Sequence, residues 1–209
     1  MPDRPWGRGI GAARRLVGTA AAVAVLAGAV PASAGVKTSM STRYYSVGGT
    51  TAASLVSYMR AHPIRGDYGN AIANIRPSYS LSVVTRPASG VCRASDVTLR
   101  LHLSLTLPKA RNTSSMSSST RSAWNAFAAY ARQHELTHRS IYVRCANAFV
   151  AQALRMSAGN CSALKASIYR LLESEKRSCE AQQRAFDRGE QGRAANMSLF
   201  WMARSLSRR

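Results

Sequence analysis

The sequence is poor in acidic residues: 9 Asp and Glu stand against 29 Lys and Arg, a formal net charge of +20. Lysine is scarce too, limited to Lys37, Lys109, Lys165 and Lys176. The charge itself draws the chain over long range toward polyanions, among them nucleic acid, anionic lipid and acidic wall polymers. No stretch interleaves aromatic with basic residues in the manner that reads nucleic acid, so a specific nucleic-acid partner is not expected. No apolar run after residue 34 is long enough to cross a bilayer, and no internal repeat is present. The four cysteines contain no C-x-x-C, which argues against a cysteine-only zinc site.

The first 34 residues read as an export signal. Arg4, Arg8, Arg14 and Arg15 form a basic start. "LVGTAAAVAVLAGAV" (Leu16 to Val30) is apolar but too short to span a membrane comfortably. "ASA" (Ala32 to Ala34) is a small-x-small cleavage site. The expectation is a signal peptide over 1–34, a single domain over 35–209, and a secreted or periplasmic protein with no transmembrane segment once the signal is cleaved. An even cysteine count in that compartment predicts two disulfides among Cys92, Cys145, Cys161 and Cys179.

Periodicity then sets the elements. "TRYYSV" (Thr42 to Val47) reads as a strand, and Thr50 or Thr51 can cap a helix ending at His62-Pro63. A second strand is expected over Ser78 to Val84. In "VTLRLHLSLTLP", Val97, Leu99, Leu101, Leu103, Leu105 and Leu107 alternate with polar residues, so one face is buried; Pro108 is expected to end this strand. "RNTSSMSSST" (Arg111 to Thr120) reads as a polar, mobile loop. From Ser122 to about Ala158 the period is helical, and Trp124, Phe127, Ala131, His134, His138, Ile141, Cys145 and Ala148 share a stripe. "SAGN" (Ser157 to Asn160) breaks the helix, and a second one follows from Cys161 to about Phe186. Folding this hairpin about Asn160 brings Cys145 near Cys179, which leaves Cys92 for Cys161.

The helical stripe carries "HELTH". His134 and His138 are four apart and stack on one helix face, a spacing that lets two imidazoles reach one Zn²⁺. Glu135 falls on a neighbouring face, suited to act as general base on a zinc-activated water. Chance placement of this pattern is expected roughly 0.002 times in a chain of this composition. A catalytic zinc site needs three protein ligands and an open position. The longer motif with a third histidine is excluded, because Ile141 and Arg144 occupy its glycine and histidine positions. His62 and His102 read as ordinary histidines, so an acid is the expected third ligand. In "FDRGEQG" (Phe186 to Gly192), Asp187 is the first candidate and Glu190 the alternative. For any one acid, a salt bridge to an arginine is the ordinary use.

Taken in order, "YYSVGGTTAASLVSYMRAHPI", the cysteine-containing strand pair ending in Leu-Pro, Trp124, "HELTH" and the late aromatic-Asp pair resemble the bacterial domain of unknown function 922 family. Its members are described as predicted secreted zinc-dependent proteases. The resemblance implies zinc on His134 and His138 and an acid/base role for Glu135. Two positions depart from it: Thr137 stands where members commonly have glycine, and Gly192 stands near where a late histidine is expected. The expected build is α+β and zincin-like: a twisted, mostly antiparallel sheet packed on an active-site helix, with a C-terminal helical hairpin. The expected function is hydrolysis of a peptide or protein substrate, with possible attachment to an anionic envelope surface. The alternatives are an inactive envelope protein of the same fold or a basic polyanion-binding protein.

Overall fold

A computed structural model describes residues 35–66 and 69–206. The expected signal peptide lies outside the described residues. The elements are β1 (Gly35–Val47), α1 (Ala52–Ala61), β2 (Ile64–Gly66), β3 (Gly69–Ala71), β4 (Asn74–Ala88), β5 (Val91–Ala110), α2 (Ser118–Ala153), β6 (Ser157–Ala158), α3 (Cys161–Gly189) and α4 (Ser198–Leu206).

β5 is the centre of the sheet, with β1 on one side and β4 on the other. Val97, Leu99, Leu101, Leu103 and Leu105 are almost fully removed from solvent. Each contributes about 1.5–3 kcal/mol of burial. They pack with Ile141, Phe149 and Val150 of α2 and Leu164, Ile168 and Leu172 of α3. The strict alternation would turn Cys92 to the solvent face. A bulge prevents this: Val84 faces Asp96 while Thr85 faces Ala94, so Ser95 is an extra residue on β5. Past the bulge the parity reverses, and Cys92 returns to the core.

β4 runs antiparallel to β5, whereas β1 runs parallel to it from Gly35 opposite Thr98 to Val47 opposite Ala110. The sheet is therefore mixed: β5 pairs antiparallel with β4 and β6, and its pairing with β1 is the parallel one. The chain leaves β1, passes through α1 and three further strands (β2, β3 and β4), and returns as β5 in the same direction. Both strands also exceed their expected lengths. β5 continues through Pro108 because the last β4 pair is Asn74 with Thr106. Beyond it β5 has a partner on one side only, where a missing amide hydrogen costs least.

Thr51 caps α1 in a capping box with Ser54, and His62 closes the helix before Pro63. The polar loop before α2 is shorter than expected: Met116 is buried, Ser117 caps α2 by accepting from the Thr120 amide, and the helix begins at Ser118. α2 ends at Ala153 rather than near Ala158, because Ser157 and Ala158 pair with Arg93 and Cys92 of β5 as β6. On its stripe Phe149 replaces Ala148, which is exposed.

α4 is not anticipated from the sequence. Leu199, Phe200 and Ala203 bury against α1 and the first half of α2, with Phe200 edge-on to Phe127 at 5.3 Å. No helix among the described residues is long and apolar enough to cross a membrane. Two disulfides are present, Cys92–Cys161 with Cα atoms 5.1 Å apart and Cys145–Cys179 with Cα atoms 5.9 Å apart. The first joins the start of α3 to β5. The second joins α3 to α2.

Candidate metal centre

α2 and α3 run antiparallel, so contacts descend α2 as they ascend α3. Cys179, Gln183 and Asp187 are four apart and share one side of α3. They meet Cys145, His138 and the His134–His138 pair in turn. The sequence places two ligand candidates on α2, and this ladder brings the third to them.

Three donor atoms converge. The Nε2 atoms of His134 and His138 are 3.1 Å apart, and Asp187 Oδ1 lies 3.2 Å from the first and 2.9 Å from the second. Ligand bonds of 2.0–2.1 Å in a tetrahedron put ligand atoms about 3.3 Å apart. The observed triangle has nearly that size, and two neutral imidazoles with one carboxylate suit zinc. Among the described residues, this trio is the group able to hold a metal ion. A metal ion held by these three donors would keep a fourth coordination position open.

The two histidines are held differently. His138 is buried, and its Nδ1 lies 2.6 Å from Oε1 of Gln183. The Gln183 amide nitrogen also donates to the His138 backbone carbonyl at 3.2 Å. His134 is held by aromatic neighbours instead: Phe186 at 4.8 Å and Tyr130 at 6.0 Å between ring centroids. Its Nδ1 is buried with no hydrogen-bond partner among the described residues. Burial, and then the neighbouring His138, push the His134 pKa below its usual value, against an opposing pull from Asp187. That direction favours the neutral ring, the form that binds a metal.

The trio opens on a cavity of about 240 Å³. Its far wall is the β2–β3 hairpin, through Gly66 and Asn70, and the first residues of β4. Glu135 lines the same cavity and is only 5% exposed. It is therefore buried beside the trio, although it occupies a different helix face. Tyr142, one turn beyond His138, lines this cavity and also a neighbouring one of about 580 Å³ between β4 and α3.

Glu190 is not brought to the histidines. It accepts from Tyr130 Oη at 3.2 Å and pairs with Arg193 at 3.0 Å. The Arg193 hydrogen bond holds the Glu190 carboxyl below its usual pKa, while burial raises the Tyr130 phenol. Glu173 and Glu180 pair with Lys176 and Arg184. His62 stacks on Tyr58, and His102 binds the hydroxyls of Ser39 and Ser41 on the open sheet face. Thr137 bonds its own helix at the Gln133 carbonyl. Gly192 has a φ of 85°, a left-handed conformation in which histidine is strained.

Gln183 and Tyr142 are the site residues that sequence reasoning misses. For Gln183 a signal exists: it lies midway between Cys179 and Asp187 at helical spacing. Tyr142 carries none, because an aromatic one turn from a histidine is ordinary core.

The family model described as "Bacterial protein of unknown function (DUF922)" matches residues 42–193. No curated protein and no solved structure matches the chain.

Proposed function

The chain belongs to the bacterial DUF922 family, and we propose that it is a secreted or periplasmic zinc-dependent peptidase with a zincin-like active-site helix. The observation that carries this reading is the trio of His134, His138 and Asp187 donor atoms, all within 3.2 Å, beside buried Glu135. Zinc held by these three residues would supply a Lewis acid that polarises a carbonyl and lowers the pKa of water. Glu135 takes the proton from the attacking water and passes it to the leaving amine. Gln183 and the aromatic neighbours hold the two imidazoles in place. The two disulfides are compatible with an oxidising compartment.

Among the described residues no strand pairs with the outer edge of β4, and such an edge suits an extended substrate. Pro77 lies within the β4–β5 ladder opposite Leu103 and has no amide hydrogen. Its position is therefore one whose backbone polar groups point away from β5. Ile75 and Tyr79 share that parity, so their N–H and C=O groups face the free edge. Ile75 lines the metal cavity and Tyr79 the neighbouring one. A peptide added to this edge as a strand runs past the trio. The test is metal content and cleavage of a broad peptide library. Purified protein should hold about one zinc per chain, and Glu135→Gln should keep the metal and lose cleavage. A protein that folds without zinc and cuts nothing would remove this reading.

A second reading, a non-catalytic protein that adheres to anionic polymer, draws on the open face of the sheet. Exposed Lys37 lies beside Arg100, and exposed Arg86 lies opposite Arg93. Like charges directly opposite one another destabilise a sheet, and an anionic partner relieves them. Apart from Asp96, the described acids all lie on α2, on α3 or at its C-cap. Binding that falls steeply with salt and is lost in K37E/R100E supports this use of the face.

A further inference from the structure

We infer that Gln183 is the positioning residue that makes His138 a metal ligand, by fixing which ring nitrogen carries the proton. The inference rests on the metal reading above. A backbone carbonyl orients the Gln183 amide. The oxygen of His138 carries no proton, so the group facing it at 3.2 Å must be the Gln183 amide nitrogen. That contact fixes the orientation of the side-chain amide and turns Oε1 toward the imidazole. Oε1 lies 2.6 Å from Nδ1. An amide oxygen only accepts, so Nδ1 must donate and therefore holds the ring proton. In a neutral imidazole the lone pair is then on Nε2, the atom 2.9 Å from Asp187 Oδ1 and 3.1 Å from His134 Nε2.

Burial makes the device effective. Gln183 is 1% exposed, so water does not compete for either bond. The free alternative, a ring protonated on Nε2, would turn N–H toward the position a metal takes. Among the described residues, His134 has no comparable partner at Nδ1. The tautomer control therefore sits on one histidine, and it is exercised from α3, the helix that also carries Asp187.

A simpler role is that Gln183 only clips α3 to α2. Glutamate separates the two roles. Its carboxylate accepts from Nδ1–H as the amide oxygen does, but it cannot donate to the His138 carbonyl. Leucine does neither. Zinc affinity measured by chelator competition is expected to fall 10–100-fold in Gln183→Leu. In Gln183→Glu it is expected to stay within about threefold of the parent, since the outer partner of the ring is kept. The ring-nitrogen NMR spectrum of the zinc-loaded protein should show the His138 proton on Nδ1 in the parent and in Gln183→Glu. Equal weakening in both variants, or parent-like affinity in Gln183→Leu, overturns the assignment. If Gln183→Leu does not fold, the loaded parent still decides: no proton on Nδ1 overturns it. A parent that binds no zinc overturns the metal reading as well. Zinc bound by the parent with unchanged affinity in Gln183→Leu overturns this inference alone.

Discussion

Asp187 is the first candidate for the third ligand and Glu190 the alternative, and their replacement by alanine should separate them. Asp187 Oδ1 is within 3.2 Å of both imidazole nitrogens, whereas Glu190 is bound to Arg193 and Tyr130. Zinc bound only by the folded state stabilises it by about 4.1 kcal/mol at a thousand times Kd. Loss of an outer partner of a ligand typically costs 10–100-fold in metal affinity, so loss of a ligand should cost at least about 100-fold. At the same free zinc, Asp187→Ala then sits at about ten times its own Kd and gains about 1.4 kcal/mol. The difference of about 2.7 kcal/mol corresponds to roughly 5–11 °C in Tm for a domain of this size. The assay is a thermal melt of parent and variant, each with zinc and with chelator, so that changes in metal-free stability cancel. Glu190→Ala should keep the full zinc increment. Loss of the increment in Glu190→Ala, together with its retention in Asp187→Ala, would refute the geometry of the trio.

Glu135→Gln should leave the zinc increment in Tm intact and lower any peptidase rate by 10²–10⁴-fold, the usual contribution of a general base. Equal cleavage by the variant would take Glu135 out of the mechanism. The bridges Cys92–Cys161 and Cys145–Cys179 span 69 and 34 residues. By loop entropy their removal costs about 4.4 and 3.8 kcal/mol, measurable by urea unfolding of the paired alanine variants. Zinc affinity should follow the opposite order, falling more without Cys145–Cys179, because that bridge lies two turns from Asp187 on α3. Leu101→Ala, at a position with no solvent exposure, should cost about 2.7–5.0 kcal/mol in the same unfolding assay. A loss under 1 kcal/mol would mean that β5 does not form the core face described.

The sequence made the period-bearing parts of the fold legible. β5 was readable because six apolar residues alternate without error, and α2 because its stripe runs from Trp124 to Cys145. The α1 cap was readable in Thr51, and its end in His62-Pro63. What escaped depends on contacts distant in sequence. The parallel pairing of β1 with β5 leaves no trace in β1, whose residues Lys37 to Tyr44 are all exposed. The Ser95 bulge is visible only once Cys92 is known to face inward. α4 is short, and its apolar residues acquire meaning only against Phe127 and α1.

The third ligand shows where helical spacing stops being informative. Measured along each helix axis from the Cys145–Cys179 bridge, His138 and His134 lie about 10.5 and 16.5 Å down α2, while Asp187 and Glu190 lie about 12 and 16.5 Å up α3. Height alone therefore admits both acids. Rotation about the axis does not reject Glu190 either, since eleven residues at 100° bring it to within about 20° of Cys179, nearer than Asp187 at about 80°. The two differ in what happens at the end of α3. The helix stops at Gly189, Glu190 becomes its C-cap, and the following turn returns Arg193 to it at 3.0 Å. Tyr130, one turn before His134, takes another of its lone pairs. Asp187, still inside the helix, has no arginine at ion-pair distance among the described residues and is directed at the two imidazoles. Of these two acids, Asp187 is the one that no arginine pairs with among the described residues and the one within reach of both imidazoles.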